Sequence, residues 1–457
     1  MTGLSADSTG TADIFPSTYL EEEWVSAVDS RASNHNLPLA INIEGPLDRG
    51  LLEDVLRAFA ARHETLRMAF VPGPNGVQRA VWPLIEPRLT FVDLPDGDER
   101  SRSERLKSMI LEASDRPTDL TRPPLWHAFV VRLAPTYHVL VTIWHHAIFD
   151  GWSFGVAFRD LTTLYARALR DGRPALPELE IQLADYAEWE RQLTLPAASA
   201  EYWRSVLPGE PPSLPVEKTP GPEVRTVAGR PYPTVPAAQM KLLGDIARSQ
   251  RVTLASALRS GVLTALRPYL PEQPVIGLVY GNRERPELQP VIGLVSDHLP
   301  VKFDLSDNPS FLELIGRVHN AVRTARQHQA PSGVIMNALP GAPAGEPIFE
   351  ISINNMRHAA PLVENVTAPD GSTVRFTVRD IPTAELWPRI NKGFSGIVRL
   401  GYQLHHQATG ELTGDIWGHI PAFRTGTLDM LGQAFAETMS KVVSNPEQGI
   451  RAIAPSA

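Results

Sequence analysis

The chain has 457 residues, 43% of them hydrophobic and 21% charged, a formal net charge of −8 and no cysteine. That length is ample for two or three hydrophobic cores, the acidic balance excludes the cationic face a nucleic-acid binder needs, and the lack of thiols excludes disulfides, thiol nucleophiles and thiolate metal sites. No run approaches the ~20 apolar residues of a spanning helix, and residues 1–14 have neither a cationic start nor an apolar core segment, so a cytoplasmic protein without a membrane partner is expected.

In chain order, residues 48–63 read as a helix, with Leu51, Leu52, Val55, Leu56 and Phe59 on one stripe and Asp48 as N-cap. Strand-forming runs follow at 77–82 and 128–133. An apolar run at 139–144 leads into His145-His146-Ala147-Ile148-Phe149-Asp150-Gly151. A second helix, 154–169, carries Val156, Phe158, Leu161, Leu164 and Tyr165. Between 207 and 236 nine prolines, from Pro208 to Pro236, deny a regular interior, and the stretch reads as a linker or an extended strap. Beyond it come a helix at 254–269, a strand at 275–280, a helix at 311–326, strands near 348–353, 374–378 and 397–404, and a closing helix at 422–443. Each half is a mixed α/β body of about 200 residues.

The histidine heptad carries the chemistry. Neighbouring residues of an extended strand face opposite sides, so one imidazole meets a cleft while the other packs inward; the bland alternative is a hydrogen-bonded pair with a structural task. Gly151 permits close backbone approach, and its N–H at a helix start can bind an oxyanion or serve conformation alone. Ser153 reads as an extra hydroxyl or a helix cap. A second pair, His405-His406, lacks the following Asp-Gly and reads as surface or core. Zinc fails at either pair for want of a spaced third ligand and a glutamate in helical register. Arg100, Arg102, Arg105 and Lys107, with Asp98, Glu99 and Glu104 interleaved, read as a solvated helix face or as a basic run that meets an acidic carrier protein.

Residues 145–153 resemble the core motif of the condensation domains of nonribosomal peptide synthetases, which have the chloramphenicol acetyltransferase-like fold. Arg62-His63-Glu64-Thr65-Leu66-Arg67-Met68-Ala69-Phe70 resembles a second signature of that family, Asp185-Tyr186-Ala187 with Trp189 and then Tyr202-Trp203 a third, and Gly281-Asn282-Arg283, Pro286-Glu287-Leu288 and Ile292-Gly293 a fourth. The likeness spans nearly the whole chain. Ser17 and Trp24 fit the family's N-terminal signature, whereas Leu20 and Glu22 stand where glutamine and arginine are usual, Asp297-His298 replaces an Asn-Thr pair, and His328-Gln329-Ala330-Pro331 blurs a later motif. These departures bear on substrate class more than on reaction class.

The resemblance implies an α/β protein of two chloramphenicol acetyltransferase-like lobes arranged as a pseudo-dimer, the active site lying in a channel between them. Residues 1–180 would form the N-terminal lobe, 181–236 a connecting helix and strap, and 237–457 the C-terminal lobe. It implies His146 as the base or the positioner of the nucleophile, His145 as a holder of the loop, and Asp150 as the partner of Arg283. Arg62 and Trp203 match positions near the site, either touching substrate or supporting it. The chain has neither an adenylation signature nor a carrier-protein phosphopantetheine site, so it resembles a free-standing condensation enzyme, similar to ester-forming members of actinomycete enediyne pathways, with no bound cofactor of its own. Its partners would be a peptidyl or acyl carrier protein in trans, bearing the acyl donor on phosphopantetheine, and a small-molecule acceptor. Ester formation with a hydroxyl is the expected reaction; amide formation, epimerisation, a coenzyme A-dependent acetyltransferase and a non-catalytic docking module are the alternatives.

Overall fold

The computed structural model describes residues 8–9, 11–26, 35–74, 76–94, 97–207, 213–215, 226–339, 349–357, 362–379, 381, 398–420, 423 and 425–455. The chain divides into two compact units, neither of them continuous: Met1–Leu193 with Gly281–Ser296 and Pro361–Pro382, and Thr194–Tyr280 with Asp297–Ala360 and Thr383–Ala457.

Among the described residues, the main sheet of the first unit has six strands, in the order Val363–Thr367, Thr373–Arg379, Asn36–Glu44, Tyr137–His145, Trp126–Ala134 and Leu89–Asp93. All neighbours are antiparallel except the last two. Tyr137–His145 lies inside this sheet and is covered on both faces, which is why its sequence is a continuous apolar run. The pleat then sorts the run. Val139, Val141 and Ile143 join Leu106 and Ile110 of helix Glu99–Ser114, whereas Leu140 and Trp144 join Phe59 and Leu161 of helices Arg49–Arg62 and Ser153–Asp171. Asp48 caps the helix expected at 48–63, accepting from the Leu51 N–H at 3.0 Å.

The second unit is built on a sheet ordered Thr226–Pro231, Leu412–Ile420, Leu400–His406, Ile351–Arg357, Val275–Tyr280 and Asp297–Lys302. Helices Ala237–Ser249, Leu254–Ala265, Phe311–Gln327 and Thr425–Ser444 belong to the same unit, and residues of all four enter its core. Expected residues 348, 397 and 422 lie outside the described residues.

The strands that were not expected include two that contain proline. Thr226–Pro231 falls inside the proline-rich stretch, and Asp297–Lys302 contains Pro300. Both are edge strands of their sheet, where a residue without an N–H is tolerated. Within the stretch, 208–212 and 216–225 lie outside the described residues.

The two units divide the chain differently from the expected boundaries at 180 and 236. The first unit runs on to Leu193 and takes two segments from the presumed C-terminal lobe. One of them, Gly281–Ser296, is held by Asp150; the other contributes Thr373–Arg379, which pairs with Asn36–Glu44 from Arg375 opposite Glu44 to Arg379 opposite Ala40. Among the described residues, no helix is long and apolar enough to cross a membrane.

Candidate active site

His145 is the last residue of the inner strand, and His146 opens a short 3-10 turn, His146–Ile148. Aromatic stacking fixes the turn from below. Phe149 lies on Trp144 with ring centroids 4.7 Å apart and planes at 8°, and Trp144 lies on Trp126 at 4.9 Å and 14°. These large rings are buried, so the strand end and the turn move as one packed body.

His145 is buried, and its Nδ1 accepts from the Ala147 N–H at 3.1 Å. Burial pushes its pKa well below the ordinary value, and the neighbouring His35 and His146 rings add to the shift. The ring thus accepts a backbone bond that ties the strand end to the turn. His146 differs. It is half-buried, its backbone N–H donates to the His35 carbonyl at 2.7 Å, and its Nδ1 is buried without a hydrogen-bond partner. That leaves Nε2 as the nitrogen open to a reacting group. Burial lowers the His146 pKa, while the carbonyls of His146 and Phe149 and the charge of Asp150 oppose the shift.

Asp150 and Arg283 meet as a buried pair, each side chain 1% exposed, with Nη1 to Oδ2 at 3.1 Å and Nη2 to Oδ1 at 3.3 Å. Asp150 Oδ1 also accepts from the Ser153 N–H at 2.9 Å and hydroxyl at 2.8 Å. Its Oδ2 takes the N–H groups of Val295 at 3.1 Å and Ser296 at 2.9 Å, and the Ser296 hydroxyl at 2.9 Å. Burial alone would raise this carboxyl; the Arg283 guanidinium and the Ser296 and Ser153 donors outweigh it and hold the pKa below the ordinary value. Ser153 thus supports the site: its hydroxyl also accepts from the Gly293 N–H at 3.2 Å. Gly151, between the turn and helix Ser153–Asp171, is exposed.

The other candidates lie elsewhere. Arg62 donates to Asp160 at 3.1 Å and to the Pro177 carbonyl, and His63 Nε2 meets the same Asp160 oxygen at 3.0 Å. Arg62 therefore ties helix Arg49–Arg62 to helix Ser153–Asp171. Trp203 is buried in the core of the second unit, its indole N–H donating to the His328 carbonyl at 2.9 Å. His328 in turn stacks on Tyr202 at 4.3 Å and meets Ser199 through Nδ1 at 3.1 Å. Asp297 accepts from the Ser332 N–H at 2.7 Å, and His298 Nε2 meets the Ser352 hydroxyl at 3.1 Å. His405 is buried at a strand end, while His406 Nε2 meets Asn355 Oδ1 at 2.6 Å. Among the described residues, no group of three or more His, Asp or Glu side chains could hold a metal ion.

Sequence reasoning missed two neighbours of His146. His35 supplies the carbonyl just described, and Trp24 places its ring 4.5 Å from that of His146. Trp24 was visible as part of an N-terminal signature, but no local pattern connects it with a residue 122 positions away (146 − 24). Its helix, Tyr19–Ser26, is anchored by polar contacts that are equally non-local. The buried pair Glu21–Arg79, Tyr19 N–H to Glu190 at 2.7 Å, and Arg191 to Glu22 at 2.5 Å hold it in place.

Comparison with known proteins bears on the family and the fold. The sequence profile named "Condensation domain" matches residues 24–386. A linear gramicidin synthase from Brevibacillus parabrevis is 32% identical over 302 residues, 65% of this chain and 4% of that protein. Phosphinothricin tripeptide synthetase PhsC of Streptomyces viridochromogenes is 31% identical over 302 residues, 65% of this chain and 28% of that protein. The chain thus spans only a small part of these relatives. Among solved structures, the X-domain from teicoplanin biosynthesis superposes with a TM-score of 0.79 at 26% identity, covering 95% of this chain and 96% of that one. The SgcC5 protein of Streptomyces globisporus gives 0.78 at 20% identity, covering 95% and 100%, which speaks for the fold alone. With the histidine turn, the Asp150–Arg283 pair and these likenesses together, the chain belongs to the condensation domain family.

Proposed function

We propose that this protein joins a carrier-tethered aminoacyl or aryl acyl thioester to a small-molecule alcohol, forming an ester. The observation that carries the reading is His146, an imidazole at the end of a packed inner strand, kept in its neutral form by burial, with Nε2 open. A positioned neutral base accelerates proton transfer about 10²- to 10⁴-fold. As the hydroxyl oxygen bonds to the thioester carbon, its proton passes to Nε2. The developing oxyanion meets the N–H of Gly151, the carbon–sulfur bond breaks, and the departing sulfur takes the proton back from His146. Asp150 stands outside this path because its oxygens serve Arg283 and the backbone N–H groups of Val295 and Ser296; it shapes the turn.

The thioester is carried on the phosphopantetheine arm of a peptidyl or acyl carrier protein, in keeping with relatives that are peptide synthetases. The reaction needs no other cofactor. The choice of an alcohol follows from the base. A neutral amine can attack first and lose its proton afterwards, whereas an alcohol must be relieved of its proton as it attacks. A protein of this fold, SgcC5, was solved in complex with a naphthyl-ethanediol, a vicinal diol.

A second reading is a docking module, because the X-domain from teicoplanin biosynthesis, at 25% identity and a TM-score of 0.78, was solved in complex with OxyB. The open Nε2 of His146 favours the enzyme. Carrier proteins loaded with a panel of aminoacyl groups, offered alcohol and amine acceptors and followed by mass spectrometry, test both. Ester formation is expected, lost by about 10²-fold or more in a folded His146→Ala protein. Amides alone would return the reaction to peptide-bond formation; no product with any pair would leave docking as the function.

A further inference from the structure

A base that accepts a proton becomes a cation, and a cation withdrawn from water needs a partner. Many histidine bases have a carboxylate bonded to the second ring nitrogen. Among the described residues His146 has none: no carboxylate is bonded to its Nδ1, and Asp150, the nearby acid, is consumed by Arg283, Ser153, Val295 and Ser296. What lies against the ring is Trp24. The two centroids are 4.5 Å apart with planes at 38°, and the indole is itself bounded by His35, edge-on at 5.3 Å and 74°. Because the His35 carbonyl also receives the His146 N–H, Trp24 and His35 together fix both the ring and the backbone of the base.

The face of an indole is the negative end of its quadrupole and attracts a cation within about 6 Å of the centroid. We propose that Trp24 is a positioning residue whose indole face carries the imidazolium of His146 during the interval in which that ring holds the acceptor's proton. The proposal rests on His146 acting as the base. In the proton balance, the acceptor O–H breaks as the new C–O bond forms, Nε2 holds the proton, and the thiolate receives it as the C–S bond breaks. The positive charge exists only between the two transfers, and Trp24 stabilises it there without donating or accepting a bond.

Two opposing influences of Trp24 must be separated. By covering the ring it adds to the burial that lowers the His146 pKa; by its quadrupole it favours the charged form. Among the described residues, the titratable groups whose charge reaches the His146 ring are Asp150 from the same turn and His145 from the strand end, while His35, just before strand Asn36–Glu44, faces Trp24 and His145. On the helix of Trp24, Glu21 and Glu22 are held by Arg79 and Arg191. A series in which shape is kept and the quadrupole is weakened isolates the second influence.

The test places tryptophan analogues with one, two and three ring fluorines at position 24 of the full chain, with Trp24→Phe and Trp24→Leu beside them. The NMR titration of His146 and the turnover of carrier-loaded donor with an alcohol are measured for each. Successive fluorines are expected to lower the His146 pKa stepwise and turnover in parallel, with unchanged thermal midpoints. Trp24→Leu should lose on the order of 3- to 30-fold in kcat, and Trp24→Phe should fall between. A His146 titration indifferent to fluorination overturns the proposal and leaves Trp24 as packing. A titration that moves while turnover does not overturns the base assignment beneath it, so the two failures are distinguishable.

Discussion

Asp150→Ala removes one half of a pair that is 1% exposed on both sides. The Arg283 charge then stays buried without compensation, a loss of about 3–5 kcal/mol in comparable pairs. The N–H and hydroxyl of Ser153, the N–H of Val295, and the N–H and hydroxyl of Ser296 also lose their acceptor. Water entering the space left by the carboxylate satisfies some of these donors, so the terms do not add, and a total of about 4 kcal/mol is expected. Against a typical stability of roughly 5–15 kcal/mol, that is a change urea unfolding followed by circular dichroism resolves easily. Asp150→Asn, which keeps the shape and one acceptor oxygen, should lose less, and Asp150→Leu combined with Arg283→Met should recover part of the loss by removing the stranded charge. The pH dependence has a definite sign. The folded pKa of Asp150 is depressed, so its stabilisation is fully present above the unfolded value of about 4 and disappears as pH falls through the lower folded value. The wild-type and Asp150→Ala curves should therefore converge in acid. An Asp150→Ala protein with a wild-type midpoint and no activity would refute this account and make Asp150 a participant in the chemistry.

Two further outcomes are expected. Trp203→Phe loses the indole bond to the His328 carbonyl and should lower stability by about 1–2 kcal/mol while leaving turnover per folded molecule and the His146 titration unchanged; a hundredfold fall in turnover at unchanged stability would place Trp203 against substrate. His127 and His298 are each held by burial at a pKa of about 4, so the unfolded chain binds protons there that the folded chain refuses, and stability should fall as pH drops from about 6.5 to about 4. His127→Gln and His298→Gln should each flatten that slope, by on the order of 3 kcal/mol at the acid end; slopes identical to wild type would show that both rings are protonated in the fold.

The sequence was most readable where one face or one turn decides the structure. The apolar run ending at Trp144 announced an inner strand, the stripes at 48–63 and 154–169 announced helices, and Asp150 and Arg283 were paired through a family likeness before any distance was known. The strands at Thr226–Pro231 and Asp297–Lys302 were hidden because proline argues against a ladder unless the strand is known to lie at an edge, and edge status belongs to the whole sheet. Arg62 was placed near the chemistry by the same likeness, yet its bonds run to Asp160 and Pro177. Trp24 and His35 were hidden for another reason. Each meets His146 across more than a hundred residues of chain, and periodicity reports only on neighbours within a few turns or strands.

The interleaving of the two units sets an order of events during synthesis. A chain emerging from the ribosome N-terminus first has released all of 1–193 long before Arg283, Ser296 or the strand Thr373–Arg379 exists outside the exit tunnel. At ~5–20 residues per second, the gap from Leu193 to Arg379 lasts on the order of ten seconds or more. Throughout it Asn36–Glu44 offers a bare backbone ladder on one side, the kind of edge other chains add to, and for the first half of it Asp150 has no guanidinium. The first-made unit thus stays incomplete until much of the second has been synthesised, and any cut or graft placed between 194 and 280 would separate the histidine turn from the residues that finish it.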